Sequence, residues 1–498
     1  MTDGVGIYFE EHRESKDLGR RALRGGVVSI AIKYGNGVLQ IAAAIVLARL
    51  LTPEDFGLVA IVTVLTSFAP LLVDFGLGDA TTQRDKITPA QISSLFWVST
   101  GIGLVVALIV GCCSPLIARL YGEPRLQPIA LLTATTFVLS GLSNQHLALL
   151  RRTLQFGRIG RIQLLGTLAS LVVAIVAALC GYGYWALVLR QVTASSVVAV
   201  GVWSACRWKP GRPVFDDDVK SMIRFGLNVV GYSVGYAVSR AVDRIVLGLF
   251  SRPDQVGYYQ GAMNLYDNSI CATIEQAHTV GSTALSKLQS DPVAIRSRYE
   301  AALSTLAFFL MPLSAILSVT AEDLTVILLG DRWRVAGSLL SIIALRGIFQ
   351  VIEGSQGWLH LAIGRADRWR NWGVVSLLVQ VAAVLAGVSF GPKGVATALV
   401  IAFLLLAMPS IIYAGRPIGI GAAFAIRAVG AQLVGAISIA VAGWWLQTML
   451  LADYSSPVRM VLSGAFCSCI YLAIVVGLFR VTEPIRVVGT MVRDLIGR

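Results

Sequence analysis

The chain alternates long apolar runs with short polar ones, and the length of the runs decides what they are. Crossing about 30 Å of hydrocarbon takes roughly 20 apolar residues in a helix. Fourteen runs meet or approach that length: 26–50, 56–79, 91–119, 126–148, 162–181, 184–204, 222–250, 256–284, 300–320, 335–361, 372–390, 394–414, 420–448 and 458–479. Each is predicted to be a transmembrane helix, which makes the chain an all-α polytopic membrane protein. The stretch before them, 1–25, carries Arg13, Lys16, Arg20, Arg21 and Arg24. It lacks the short apolar core and small-residue cleavage site of a signal peptide and reads as a cytoplasmic N-terminal segment. Residues 481–498 read as a cytoplasmic tail.

Composition agrees with the pattern. Apolar residue types supply 56% of the 498 residues and charged ones 14%, and mean hydropathy is +0.73. There is too little polar side chain to cover a water-soluble globule of this size. The net charge of +13 would suggest nucleic acid for a soluble protein. Here the bases sit in short loops, so the partner they imply is the lipid bilayer and not nucleic acid. Their distribution also orients the chain. Loops holding Arg84 and Lys86, Arg151 to Arg161, Arg207 to Lys220, and Arg365 to Arg370 fall on the same side as both ends. The opposite loops carry few bases, such as Arg125, Arg252, Arg332 and Lys393. The positive-inside rule therefore expects both termini in the cytoplasm. All seven Cys lie in or beside apolar runs, which implies neither a disulfide framework nor a metal site.

A shift of 200 residues reveals an internal repeat. It superimposes Arg24 on Arg224, Gly26 on Gly226, Gly35 on Gly235, Ile45-Val46-Leu47 on Ile245-Val246-Leu247, Pro53 on Pro253 and Gly57 on Gly257. The first run maps onto the seventh, an even number of helices, so the two halves face the same way across the membrane. The expected organisation is an N-lobe at 26–206, a cytoplasmic linker at 207–221, a C-lobe at 222–415 and two appended helices within 416–480. Two like-facing six-helix lobes would then enclose a central cavity. The twin turns, Pro53 with Gly57 and Pro253 with Gly257, are expected to form a gate at its outer rim, because Pro and Gly fix tight helix connections.

Several motifs resemble those of a known family. Leu47-Ala48-Arg49-Leu50-Leu51-Thr52-Pro53-Glu54-Asp55-Phe56-Gly57 looks like the first-turn signature of bacterial polysaccharide flippases. Asp74-Phe75-Gly76-Leu77-Gly78, Leu150-Arg151-Arg152, Gly181-Tyr182-Gly183-Tyr184-Trp185, Asp243-Arg244-Ile245-Val246-Leu247-Gly248, Gly257-Tyr258-Tyr259 and Leu329-Gly330 with Trp333 follow in order. The likeness spans about 22–415 and depends on the ordered set. It implies the multidrug, oligosaccharidyl-lipid and polysaccharide exporter superfamily, in the branch serving colanic-acid and teichuronic-acid type polymers. One departure is Val280-Gly281-Ser282-Thr283-Ala284, where a Pro is expected.

The resemblance implies translocation of undecaprenyl-diphosphate-linked oligosaccharide across the bacterial cytoplasmic membrane by alternating access. It implies no resident cofactor, and it leaves polysaccharide polymerase and export proteins as candidate partners. Polar residues inside apolar runs are costly and are default functional candidates. Lys33, Asn36 and Gln40 recur on one face of the first run, and Arg346, Gln350, Glu353 and His360 on one face of the tenth. A dianionic head group calls for Lys and Arg in a wet cleft, so Lys33, Arg240 and Arg346 are assigned to the diphosphate, with Asn36, Gln40 and Gln350 beside them. Arg190 and Arg244 are weaker candidates, and Arg244 can instead pair with Asp243. Glu275, Glu353, Asp243 and Asp267 are candidates for H⁺ or Na⁺ coupling, because burial makes a carboxylate's protonation depend on which side is open. The competing role for Glu353 is an ion pair with Arg346. His146, His278 and His360 read as ordinary interfacial histidines.

Two other classes fit less well. A cation-coupled exporter of small drugs or metabolites should carry an acidic and aromatic cavity, whereas this one offers Lys33, Arg240 and Arg346. A membrane polymerase or glycosyltransferase needs an extended outer loop, and the longest outer connection here is about 321–334. No phosphate-binding Gly loop, HExxH or nucleophile elbow is present, so no enzymatic activity is expected.

Overall fold

The computed structural model describes residues 32, 35–84, 86–224, 226–227, 240–286, 288, 291–486, 490 and 493. Among the described residues the regular elements are all helical, and eleven helices are long and apolar enough to cross a bilayer. They correspond to eleven of the fourteen expected spans. The first and seventh, 26–50 and 222–250, run partly outside the described residues. The eighth, 256–284, is helical along its length but is too polar to be among the eleven. The chain divides into two compact units, with the boundary between Leu249 and Phe250.

In the first unit α1 (Gly35–Leu50) is followed by α2 (Pro53–Leu65), α3 (Ala69–Asp74), α4 (Leu77–Gln83), α5 (Pro89–Leu120), α6 (Leu126–Arg152), α7 (Phe156–Leu179), α8 (Trp185–Ala205) and α9 (Val242–Phe250). Helix α6 lies at the centre and packs on α2 to α5 and on α8. It meets α5 where both present glycine. A Cβ on Gly103 would stand 2.6 Å from the Phe137 carbonyl oxygen, and one on Gly141 would stand 2.7 Å from that of Ser99. Small residues let membrane helices approach closely enough to gain packing that lipid would otherwise supply. The apolar side chains of α5 and α7 that stay exposed, among them Leu104, Leu108, Leu165, Leu168 and Val172, recur at helical spacing and present a surface suited to lipid.

Helices α2 to α4 form one span broken twice. Thr52 starts it with a capping box: the Asp55 amide donates to Thr52 Oγ1 and the Thr52 amide to Asp55 Oδ2, with Pro53 at the first helical position. Pro70 causes the first break. It has no N–H to offer Thr66, and its ring would collide with that carbonyl. The chain tightens instead, with Ser67 N donating to Val64 O and Ala69 N to Thr66 O. The second break lies at Phe75 and Gly76, both left-handed, with φ of 50° and 61°.

The expected linker is strapped to α5. Ser94 Oγ accepts from Val214 N and donates to Val214 O at 2.7 and 2.6 Å, Ser93 Oγ accepts from Gly211 N, and Trp97 Nε1 donates to Gly211 O. Gln91 reaches Asp216 at 3.1 Å. The Val219 amide, with Gln91, holds the Asp216 carboxyl below its usual range. These bonds tie residues 211–219 to the first unit.

In the second unit α10 (Pro253–Tyr266), a π-helical segment (Asp267–Cys271) and α11 (Ala272–Ser286) run on without interruption. Then come α12 (Pro292–Leu329), α13 (Arg334–Ala362), α14 (Ala366–Val388), α15 (Gly391–Gly415), α16 (Ala422–Met449) and α17 (Ser456–Leu472). Helix α13 packs on α10, α11, α12 and α15, and α12 also carries α16 and α17. A buried ion pair fastens the last of these. Arg459 Nε donates to both oxygens of Asp323, at 3.0 and 2.8 Å, and Gln447 adds a third contact. Tyr471 donates to the Phe308 carbonyl from α17 at 3.0 Å. Where the family pattern expects a Pro in 280–284, Gly281 lets the Trp358 ring approach to 3.0 Å from where a Cβ would stand.

Candidate functional site

The π-helical segment is where the second unit gathers its polar groups. One extra residue per turn widens the helix locally and turns side chains out of register, and such segments are frequent at functional sites. Tyr266, on the last turn of α10, donates its hydroxyl to Gln350 Oε1 at 2.6 Å. Gln350 Nε2 in turn reaches Cys271 Sγ at 3.6 Å. One turn earlier on α13, the Arg346 guanidinium lies over two rings, 4.8 Å from the Tyr266 centroid and 5.2 Å from that of Phe403 on α15. Arg346 is only 9% exposed, so both ring faces meet a cation largely stripped of water, the setting in which such contacts are strongest. Gly347 lets α13 close on α12 and on the π-helical segment, because a Cβ there would stand 2.4 Å from Ser314 Oγ and 3.2 Å from Ile270 Cγ2.

Beside this cluster runs a polar face. Asn264, Asn268 and Glu275 are exposed and stand three to four residues apart or two turns apart, on one side of the continuous helix. Gln260 donates to the Asn264 side chain at 2.7 Å and Asn268 to the Asn264 carbonyl at 2.8 Å. The middle stretches of α5 and α7 expose Leu, Ile and Val, such as Leu104, Leu108, Ile109, Leu168 and Val172; here amides and a carboxylate are exposed. At membrane depth that chemistry requires water.

The structure unites some of the expected residues and separates others. Arg346, Gln350 and Asp267 meet around the π-helical segment. Glu353 does not join them: it accepts from Ser376 at 3.3 Å, and no cation pairs with it among the described residues, so the ion pair with Arg346 is not formed. Asp243, 6% exposed, pairs with Arg244 at 3.6 Å, and Arg244 also donates to the Arg240 carbonyl at 2.6 Å. Arg244 is thus held locally, and Arg240 is half-buried beside it. Lys33 lies outside the described residues. On α1, Asn36 is half-buried and Gln40 exposed.

The twin turns keep their shape but not their contacts. Both Gly57 and Gly257 are buried. Glu54 pairs with Arg125 at 2.6 Å, and Arg125 also holds Glu123 at 2.7 Å, which lowers the Glu123 carboxyl and raises the Arg125 guanidinium from their usual values. Among the described residues Asp254 pairs only with its neighbour Arg252, at 3.5 Å.

Two readings of histidine change. His146 and His360 are fully buried rather than interfacial. His146 stacks on Trp203 at 4.3 Å with Trp208 and Phe96 around it, and His360 stands edge-on to Tyr413. Neighbouring aromatic rings fill the space that water was expected to occupy. Two residues of the cation cluster escaped the sequence, Tyr266 and Phe403. An aromatic in an apolar run carries no sign of which ring a distant Arg will cover.

The polysaccharide biosynthesis protein family matches residues 46–337, more than half of the chain. The chain belongs to this family. Similar relatives include the lipopolysaccharide biosynthesis protein WzxC of Escherichia coli (strain K12), 24% identical over 76% of this chain and 76% of its own. The teichuronic acid biosynthesis protein TuaB of Bacillus subtilis (strain 168) is 26% identical over 71% of this chain and 74% of its own. Among solved structures, the lipid II flippase MurJ in an inward closed conformation matches with a TM-score of 0.70 at 15% identity, covering 91% of this chain and 99% of that one. An inward-facing multidrug resistance MATE family transporter of the MOP superfamily matches at 0.61 and 13% identity, over 79% and 98%. The fold is the one these transporters share. With eleven apolar helices of spanning length, this family member is a multi-pass membrane protein.

Proposed function

We propose that this chain flips undecaprenyl-diphosphate-linked oligosaccharide across the bacterial cytoplasmic membrane for surface polysaccharide synthesis. Fourteen spans with both termini in the cytoplasm fit the basic loops, and two like-facing lobes would rock about a central cavity. The observation that carries this reading is Arg346, a cation held over Tyr266 and Phe403 beside a membrane-depth face of Asn264, Asn268 and Glu275. A fixed cation beside wet amides suits a diphosphate followed by a glycan, and it is poorly suited to a cationic drug. The family and the names of WzxC and TuaB supply the polysaccharide context, and MurJ supplies a lipid-linked cargo on the same fold.

In this reading Arg346, Arg240 and Lys33 grip the diphosphate, and Asn36, Gln40 and Gln350 hold the sugars next to it. Glu275, Asp267, Asp243 and Glu353 are carboxylates whose protonation or Na⁺ occupancy would link flipping to an ion gradient. The Pro53–Gly57 and Pro253–Gly257 turns act as the outer gate. The experiment is reconstitution of the full chain in proteoliposomes, with lipid-linked oligosaccharide extracted from cells lacking the chain. Flipping is read as new accessibility of the glycan to an external glycosidase. Vesicles with the protein should expose the inner-leaflet pool, and rates equal to empty vesicles would refute the reading.

A further inference from the structure

The first unit holds a cavity of about 190 Å³ at the break between α2 and α3. Three helices line it, each through a polar pair four residues apart: Thr63 with Ser67, Thr136 with Ser140, and Gln191 with Ser195. Thr66 joins them, and Pro70 and Phe137 form an apolar wall. The lining residues sit roughly two to five turns into their spans, within the depth of the membrane. The space is large enough for several waters, or for one sugar ring.

The chemistry of the lining restricts what fits. Among the described residues no charged side chain borders the cavity, so a buried cation or anion would enter without a counter-charge from them. A purely apolar ligand would strand the hydroxyls. Three of those hydroxyls have already committed their hydrogens to their own helices: Thr66 Oγ1 to Val62 O, Ser67 Oγ to Val64 O, and Thr136 Oγ1 to Thr133 O. They offer only acceptor lone pairs to the cavity. Gln191, Ser140 and Ser195 have no protein partner among the described residues and can donate as well as accept. A neutral ligand with many hydroxyls and one face of C–H groups to lay on Phe137 matches that set, and that is a carbohydrate ring.

We infer that the cavity at the α2–α3 break is a sugar subsite, binding a neutral hexose-type residue of the transported glycan through Gln191, Ser195, Ser140 and the Thr66 oxygen. This rests on the flippase reading and adds a division of labour to it. The charged residues would take the diphosphate, and this cavity would select glycan-bearing lipid over the bare carrier.

The test compares two lipids on purified full-length protein in nanodiscs: lipid-linked oligosaccharide extracted from cells lacking the chain, and synthetic undecaprenyl diphosphate without sugar. The Gln191→Leu/Ser195→Ala variant should bind the glycan lipid about ten- to a hundredfold more weakly and the bare diphosphate as wild type does. Retained diphosphate binding also shows that the variant is folded. Ser140→Leu, which removes one hydroxyl and also fills the space, should give the same selective loss. Unchanged binding, or equal weakening for both lipids, would overturn the sugar assignment. So would a loss that appears only when Na⁺ is withdrawn, because the cavity would then hold an ion. Wild-type protein that binds neither lipid would refute the flippase reading itself.

Discussion

The span that begins at Pro53 and the helix that begins at Pro253 start from the same Pro-acid-x-x-Gly turn, 200 residues apart, and are interrupted 13 and 14 residues after it. In the first the interruption is a break at Thr66–Phe68; in the second it is the π-helical segment Asp267–Cys271. One residue accounts for much of the difference. Position 70 is Pro and cannot continue the hydrogen-bond ladder, whereas position 270 is Ile, fully buried, and the helix runs on. The interruptions then acquire opposite chemistry. The first is surrounded by hydroxyls and an amide without charge, the second by Arg346, Asp267 and a face of amides. Two turns alike in sequence are thus each followed by a disturbed helix, and the two disturbances offer a ligand different chemistry.

The most severe way to break this comparison is to make the second copy like the first. Ile270→Pro removes a ladder hydrogen bond and should cost about 3 kcal/mol or more, seen as loss of folded protein in thermal unfolding of the detergent-solubilised chain. Pro70→Ala should leave abundance intact. If Ile270→Pro melts at the wild-type temperature, the two interruptions are interchangeable and the contrast is false.

A smaller effect sharpens the chemical difference. Arg346→Gln should remove one charge-assisted contact, about 1.5–3 kcal/mol or roughly tenfold to a hundredfold in affinity for the diphosphate lipid, with protein level preserved. Because Glu353 pairs with no cation among the described residues, adding Glu353→Gln should not restore polymer export. Restoration by the double variant, scored on export and abundance together, would mean that the two side chains are coupled after all.

The smallest effect concerns the turns themselves. Thr52→Ala removes the capping box and should lower stability by about 1 kcal/mol. Arg252, the equivalent residue in the second copy, makes no side-chain cap, so Arg252→Ala should shift the melting temperature measurably less. Equal shifts would show that the cap contributes nothing specific to the first copy.

Much of the fold can be read from the chain because its signals are local. An apolar run either is or is not as long as a bilayer is thick, so eleven of the fourteen runs reappear as helices of spanning length, though the ninth, expected at 300–320, extends eight and nine residues further, as Pro292–Leu329. The eighth, with Asn264, Asp267, Asn268 and Glu275, is helical but is not among the helices apolar enough to span. The candidate site was legible only as a list. Arg346 and Gln350 could be marked because an ionisable or amide side chain in an apolar run is costly wherever it points. Their partners could not, since Tyr266 lies 80 residues away and Phe403 57 residues away in the other direction. The cavity left a fainter trace, the pairs Thr63–Ser67, Thr136–Ser140 and Gln191–Ser195, each one helical turn apart. Hydroxyls can satisfy themselves on their own helix, as Thr66 and Thr136 do, and so draw no attention.

The sequence by itself determined where eleven helices of spanning length lie and the 200-residue likeness of the two Pro-acid-x-x-Gly turns, because each depends on residues close together along the chain or on a simple register. Tertiary structure alone decided that residues 211–219 would be strapped to α5, that Glu353 would go without Arg346, that His146 would be enclosed by rings, and that three separate polar pairs would converge on one cavity. Those outcomes depend on how each helix is rotated about its axis when it packs. That rotation is set by contacts such as Gly103 against Phe137 and Gly347 against Ser314, whose partners lie on other helices.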